Sequence, residues 1–191
     1  MDALVLEAVP VAGVPNNVRL RAGQRYAAVT ADGEQARLLA DLVTGLAPVP
    51  EKAIVRSSGP VRLVPADGGL LPHLSVLQNL VRSYRLMHGS VPKTLSADTC
   101  RASAGRYGLG EVLDRYPCEI TPGQRRRAGV ARALCAGAQV VVLEDRVGLP
   151  TWGNVLDDGH DPELLRTALL LVVPSDAEPG RTGGFTRLAD A

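Results

Sequence analysis

Between residues 116 and 146 the chain reads YPCEITPGQRRRAGVARALCAGAQVVVLEDR, and this stretch constrains the fold more than any other. Thr121-Pro122 is a helix start, a hydroxyl N-cap followed by proline at the first helical position. Val140, Val141, Val142 and Leu143 then form a continuous apolar run of the kind buried on both faces of a parallel sheet, and it ends in Glu144-Asp145. A helix leading into a buried strand with acids at its end points to an α/β fold.

The rest of the chain repeats that order. Apolar runs at 4–9, 18–21, 26–30, 53–56, 61–64 and 169–173 predict further strands. Leu38, Leu39, Leu42 and Val43 make a helical stripe closed by Gly45, and Val76, Leu77, Leu80, Val81 and Tyr84 make a second behind a Ser75-x-x-Gln78 capping box. Ser96 and Ala97 are expected to open the helices that run towards Leu113. With 191 residues, 46% of them hydrophobic, the chain has material for one domain with a substantial core. Only 3% of residues are aromatic and the formal net charge is +1, so nothing in the composition favours nucleic acid. Cys100, Cys118 and Cys135 have no C-x-x-C spacing and read as free thiols of a reducing compartment. His73, His88 and His160 are too scattered for a triad or a metal set. The longest late apolar run, 168–173, is far too short to cross a bilayer, so the expectation is a cytoplasmic protein that meets the membrane's inner face only through a partner, without inserting into it.

The segment ITPGQRRRAGVARAL resembles the signature L-S-G-G-Q-x-x-R-x-x-x-A-R-A-L of ATP-binding cassette (ABC) ATPases, and VVVLED resembles their Walker B strand. Thr121 and Glu144 lie 23 positions apart, as the family places its signature serine and Walker B acid. LRAGQRYAAVTADG is similar to the strand entering the phosphate loop, and LLPHLSVLQNL to the family's L-F-P-H-L-T-V-x-E-N-L. The resemblance implies an α/β, P-loop NTPase-like (ABC ATPase) fold: a mostly parallel sheet covered by helices, in a single domain of residues 1–191 with a helical subdomain at about 75–133. It implies partners as well, namely another cassette in a homo- or heterodimer, and a membrane permease docked near Leu70, Leu71, Pro72 and His73. The tail 177–191 stops short of the family's last elements and is expected to be loosely ordered.

The departures from the family fall on the residues that handle ATP. In VTADGEQAR, Glu34 stands where the last glycine of the phosphate loop belongs, Gln35 where the lysine belongs and Ala36 where the Mg²⁺ hydroxyl belongs. Asp32 reads as an N-cap for the following helix, and a carboxylate about 4 Å from a phosphate charge costs about 4 kcal/mol at an effective dielectric of 20. Ala66 replaces the middle-loop glutamine and Ser175 the switch histidine. Trp152 falls in the family's D-loop, as a partner contact or as core packing. Arg125, Arg126, Arg127 and Arg132 form a basic helix face expected to be solvated, or else paired with the acids after the strand.

These losses lead to the expectation of a noncatalytic cassette, an interaction or regulatory subunit of an ABC-type transporter with no cofactor of its own, which lends Thr121 and Gly123 to a partner's ATP. The alternative is an ABC transporter ATP-binding subunit with weak ATP binding and hydrolysis. In that case Glu144 and Asp145 are the catalytic acids and Glu144 holds Mg²⁺. The vestigial nucleotide site is then Asp32, Gly33, Gln35, Ala36 and Arg37, with Thr121, Gly123 and Gln124 facing a partner's nucleotide.

Overall fold

The computed structural model describes residues 1–89, 93–156, 162–177 and 180–190. Its strands are β1 (Asp2–Glu7), β2 (Asn17–Arg21), β3 (Arg25–Thr30), β4 (Ile54–Ser57), β5 (Val61–Val64), β6 (Val140–Glu144), β7 (Ala168–Pro174) and β8 (Thr186–Arg187). Five of them form a parallel sheet in the order β5-β6-β7-β3-β8, and the other three an antiparallel sheet in the order β2-β1-β4. The fold is therefore α/β with a parallel sheet at its centre, as expected. The separate antiparallel sheet is an addition that the strand signals did not distinguish.

The central strands β6, β7 and β3 of the parallel sheet are buried on both faces, which explains their unbroken apolar runs. Along β6, Val140 and Val142 pack with the antiparallel sheet and helix α1 (Gly33–Thr44), while Val141 and Leu143 pack with the helical layer on the other face. That layer consists of α2 (Val76–His88), α3 (Lys93–Arg106) and α4 (Pro122–Cys135), and the short α5 (Trp152–Leu156) joins it beside β6. Each fully buried Leu or Val here stabilises the fold by about 1.5–3 kcal/mol. α4 sits close over the turn after β5 because two glycines meet there: a Cβ on Gly129 would lie 2.5 Å from the Gly68 carbonyl oxygen. Any side chain at Gly129 would push the signature helix off the sheet.

Three expectations need correction. α3 begins at Lys93, ahead of Ser96-Ala97, and Ser96 is buried within it. The arginines of α4 are not a solvated face, since Arg126 is fully buried and Arg125, Arg127 and Arg132 are half-buried. The tail is not loose over its described residues: β8 pairs with β3, Leu188 is buried, Phe185 packs on the core, and Arg181 is buried with its guanidinium bonded to the end of β6. Apolar burial and one buried charge pair tie it down, although its sequence is rich in glycine.

Candidate functional site

The turn after β3 is where a phosphate loop would lie, and several of its polar groups have partners within the chain. Asp32 caps α1, its carboxylate accepting from the Gln35 N–H at 2.8 Å. The Gln35 side chain turns away to accept from the Ala12 N–H at 3.1 Å. Ala31 donates its N–H to the Ala12 carbonyl, and its own carbonyl accepts from the Ser175 hydroxyl at 2.7 Å. The β1–β2 loop presses down so closely that a Cβ on Gly13 would sit 2.2 Å from the Val29 carbonyl oxygen. Gly33 is open, and Glu34 adds a second carboxylate to the first turn. Arg37, two positions beyond the place of the missing lysine, lines the neighbouring cleft with its Nε 3.8 Å from Asp41 on its own helix. A triphosphate at this turn would meet the carboxylates of Asp32 and Glu34 in a loop that has no lysine. The repulsion, about 4 kcal/mol at 4 Å, exceeds the 0.3–1 kcal/mol or so that a helix dipole offers an anion.

Beside this turn, a cleft of about 610 Å³ runs between α1 and the ends of β5, β6 and β7, lined by Ala36, Arg37, Asp41, Asp67 and Glu144 among others. Glu144 is half-buried, and burial holds its carboxyl above the ordinary carboxylate range, with Asp41 adding to the effect and Arg37 opposing it. Glu144 lines the cleft from the end of β6 together with Asp41 and Asp67, yet among the described residues no group of three His, Cys, Asp or Glu side chains is placed to hold a metal.

Asp145 has a different fate. Its side chain is 1% exposed and lies between two guanidinium groups, Arg126 at 0% and Arg181 at 4%. Arg181 binds both carboxylate oxygens and also donates to the Arg146 carbonyl at 2.8 Å and the Leu149 carbonyl at 3.1 Å. Arg126 donates to Asp145 at 3.2 Å, to the Ala66 carbonyl at 2.6 Å and to the Pro150 carbonyl, and its guanidinium lies 4.5 Å from the centre of the Trp152 ring. Burial pulls Arg126 below the usual arginine range, with Asp145 opposing. Trp152 is fully buried and donates to the Glu144 carbonyl at 2.8 Å, so it is core packing and not a partner contact. The acid in the place of a catalytic base is thus bound into a buried charge cluster that also fastens the middle loop at Ala66 and the tail at Arg181.

The start of α4 remains accessible. The Thr121 hydroxyl accepts from the Gln124 N–H at 3.2 Å, the Gln124 side chain accepts from the Thr121 N–H at 2.9 Å, and no acid lies in the first turn. Thr121 is exposed and Gly123 half-exposed. The turn before α2 is held by buried Asn79, which accepts from the Leu71 N–H at 2.8 Å and donates to the carbonyls of Leu71, Leu74 and Ser75. Pro72 and His73 are exposed there, Leu71 is half-buried, and Leu70 packs partly onto the core. His88 rests on Tyr84 at the end of α2, with ring centres 4.4 Å apart, and His160 lies outside the described residues.

The structure therefore brings Gly33, Ala36, Arg37 and Glu144 to one cleft, holds Asp32 and Gln35 beside it in contacts of their own, and leaves Thr121, Gly123 and Gln124 at another helix start. Sequence reasoning missed Arg181 and the Ala12 contact. A lone arginine in a glycine-rich tail gave no signal, although three successive arginines opposite a strand-end acid did leave ion pairing open for Arg126.

No protein-family model matches the chain. It is 34% identical over 134 residues to the thiamine import ATP-binding protein ThiQ of Ruegeria sp. strain TM1040, covering 69% of this chain and 55% of that protein. It is 27% identical over 157 residues to the molybdate/tungstate import ATP-binding protein WtpC of Archaeoglobus fulgidus, covering 74% and 63%. The match thus spans less than two thirds of the length of either relative. Among solved structures, a metal-chelate type ABC transporter in an inward-facing conformation superposes with a TM-score of 0.75 at 17% identity, covering 97% of this chain and 77% of that one. CbiO1 of Clostridium perfringens, part of the ABC transporter complex cbiONQ, superposes with a TM-score of 0.70 at 17% identity, covering 90% and 78%. The chain has the fold of ABC ATPase cassettes and is similar in sequence to the ATP-binding proteins of ABC transporters.

Proposed function

We propose that this chain is the ATP-binding-type subunit of an ABC transport assembly, pairing with a second cassette and docking on a membrane permease. The likeness to import ATP-binding proteins, which runs through 69% of the chain in the thiamine case, carries the reading. Under it, Glu144 and Asp145 stand in the place of the Walker B acids, and nucleotide binding and hydrolysis are weak because Gln35 and Ala36 supply neither cation nor Mg²⁺ hydroxyl.

A second reading has one specific observation in its favour. The Asp32 carboxylate, 2.8 Å from the Gln35 N–H, fills the helix start where a phosphate would bind. This supports a noncatalytic cassette that lends Thr121 and Gly123 to a partner's nucleotide while keeping the same fold and partners. Melting the purified chain with and without millimolar ATP and Mg²⁺ separates the two, because a ligand bound by the native state alone must raise the melting temperature. A saturable rise supports the ATP-binding subunit. No rise, with retained association to a cassette that has an intact phosphate loop, supports the noncatalytic one, and no association with any cassette or membrane overturns both.

A further inference from the structure

The turn from β2 into β3 joins the antiparallel sheet to the parallel one, and it borders a cavity of about 1010 Å³. The turn is fixed: Gln24 donates its N–H to the Arg21 carbonyl at 3.2 Å, Gly23 donates to the Thr167 carbonyl at 3.1 Å, and a Cβ on Gly23, whose φ is +78°, would lie 2.6 Å from the Leu165 carbonyl oxygen. Tyr26 lines the cavity while only 8% exposed, and its hydroxyl oxygen accepts the Arg21 N–H at 3.2 Å. A tyrosine hydroxyl also carries one hydrogen to donate. Among the described residues nothing accepts it. The charged side chains lining the cavity are Asp2, Arg19 and Arg21. Arg19 holds Asp2 at 3.1 Å, whereas no ion pair of Arg21 is present among the described residues.

One unpaired guanidinium, one buried hydroxyl with a hydrogen to give, and apolar wall from Val18, Ala22 and Leu188 make a concave site with few, placed polar groups. We propose that this cavity binds a small organic carboxylate, its head between the Arg21 guanidinium and the Tyr26 hydroxyl and its apolar body against Val18, Ala22 and Leu188. Arginine suits a carboxylate, since its planar fork pairs with both oxygens. A phosphate dianion would bring two charges to one unpaired cation and lie near Asp2. A nucleotide would find Tyr26 as the one aromatic ring in the lining. The site lies at the opposite end of β3 from the turn before α1, with Tyr26 and Thr30 about 13 Å apart along the strand. It therefore goes beyond the transporter reading and does not rest on it.

The test is a ligand-observed NMR titration of the full chain with phenylbutyrate, against phenylbutylamine and phenylbutanol, which keep the body and change the head. The carboxylate should bind at least about tenfold more tightly than either, and less tightly as salt is raised. Arg21 is exposed, so Arg21→Gln should leave the melting temperature unchanged and weaken carboxylate binding about tenfold or more. Tyr26→Phe keeps the ring and removes the hydroxyl, and should weaken binding about threefold or more. Arg56, an exposed arginine outside the cavity, serves as the control for adventitious anion binding, and Arg56→Gln should change nothing. Equal binding of the three heads, unchanged binding by Arg21→Gln, or an equal loss in Arg56→Gln would overturn the proposal. So would displacement of phenylbutyrate by an equal concentration of inorganic phosphate, or no binding of phenylbutyrate at millimolar concentration. None of these outcomes involves ATP or a membrane, so the transporter reading stands or falls separately.

Discussion

The starts of α1 and α4 are built alike and present opposite chemistry. Each is capped by its own side chain, Asp32 onto the Gln35 N–H and Thr121 onto the Gln124 N–H. At α1 the cap is a carboxylate and the first turn adds Glu34, whereas at α4 the cap is a neutral hydroxyl and the first turn holds no acid. An anion is repelled from the first and meets only dipoles and hydrogen-bond donors at the second. In the cassette arrangement the first start would serve the chain's own nucleotide and the second a partner's. The departures from the family pattern thus fall on the start of α1 and spare the start of α4, which is the contrast the proposed function turns on.

Asp145 provides the most severe test of that contrast. If it belongs to the structure around α4 and not to chemistry at α1, removing its carboxylate leaves Arg126 and Arg181 buried and unpaired. Breaking a buried pair in this way costs about 3–5 kcal/mol, a large part of the stability of a small domain. Asp145→Ala should lose that much in urea unfolding or fail to fold. A loss below about 1 kcal/mol, the value for an exposed acid, would return Asp145 to the candidate catalytic groups.

How much of this was legible depended on whether the signal was local. The capping box at Ser75, the Thr121 and Asp32 caps and the β6 run all follow from residues within a few positions of each other, and the structure contains each of them. The antiparallel pairing of β1 with both β2 and β4, the tail's return to β3 and the Arg181 clamp join residues far apart in the chain. Such contacts are chosen by packing and leave no spacing to read. Trp152 shows the same limit from the other side, since its position in a loop motif left partner contact and core packing both open, and its surroundings, Arg126 and the carbonyl of Glu144, decide for packing.

The contrast between the two helix starts can also be broken by design. Asp32→Gly, Glu34→Gly, Gln35→Lys and Ala36→Ser together remove both carboxylates from α1 and supply the missing cation and hydroxyl. Replacing an Asp cap by glycine costs only a few tenths of a kcal/mol, so the variant should fold. ATP with Mg²⁺ at a hundred times its dissociation constant would then add about 2.7 kcal/mol of stability, read as a saturable rise in melting temperature larger than any seen for the wild type. A folded variant that responds no more than the wild type would place the obstruction elsewhere, with the β1–β2 loop pressed against Val29 as the first suspect.

The smallest effect concerns Glu144, which lies between the two halves at the end of β6. Burial raises its carboxyl pKa in the folded state, so the fold favours the protonated form. The associated stability is fully present below the unfolded-state value of about 4.3 and is lost as the pH rises through the folded-state value. Glu144→Gln removes this titration while keeping an oxygen that can accept the Ala66 N–H. The variant should therefore gain on the wild type as the pH is raised from about 4 to 7, with the two converging at the acid end. A ligand for Mg²⁺ would behave otherwise, because the metal demands the ionised carboxylate and repays its burial. Repeating the series with millimolar Mg²⁺ decides the matter: if the ion raises the melting temperature of the wild type and not of Glu144→Gln, this acid is a metal ligand beside α1 and the noncatalytic reading fails.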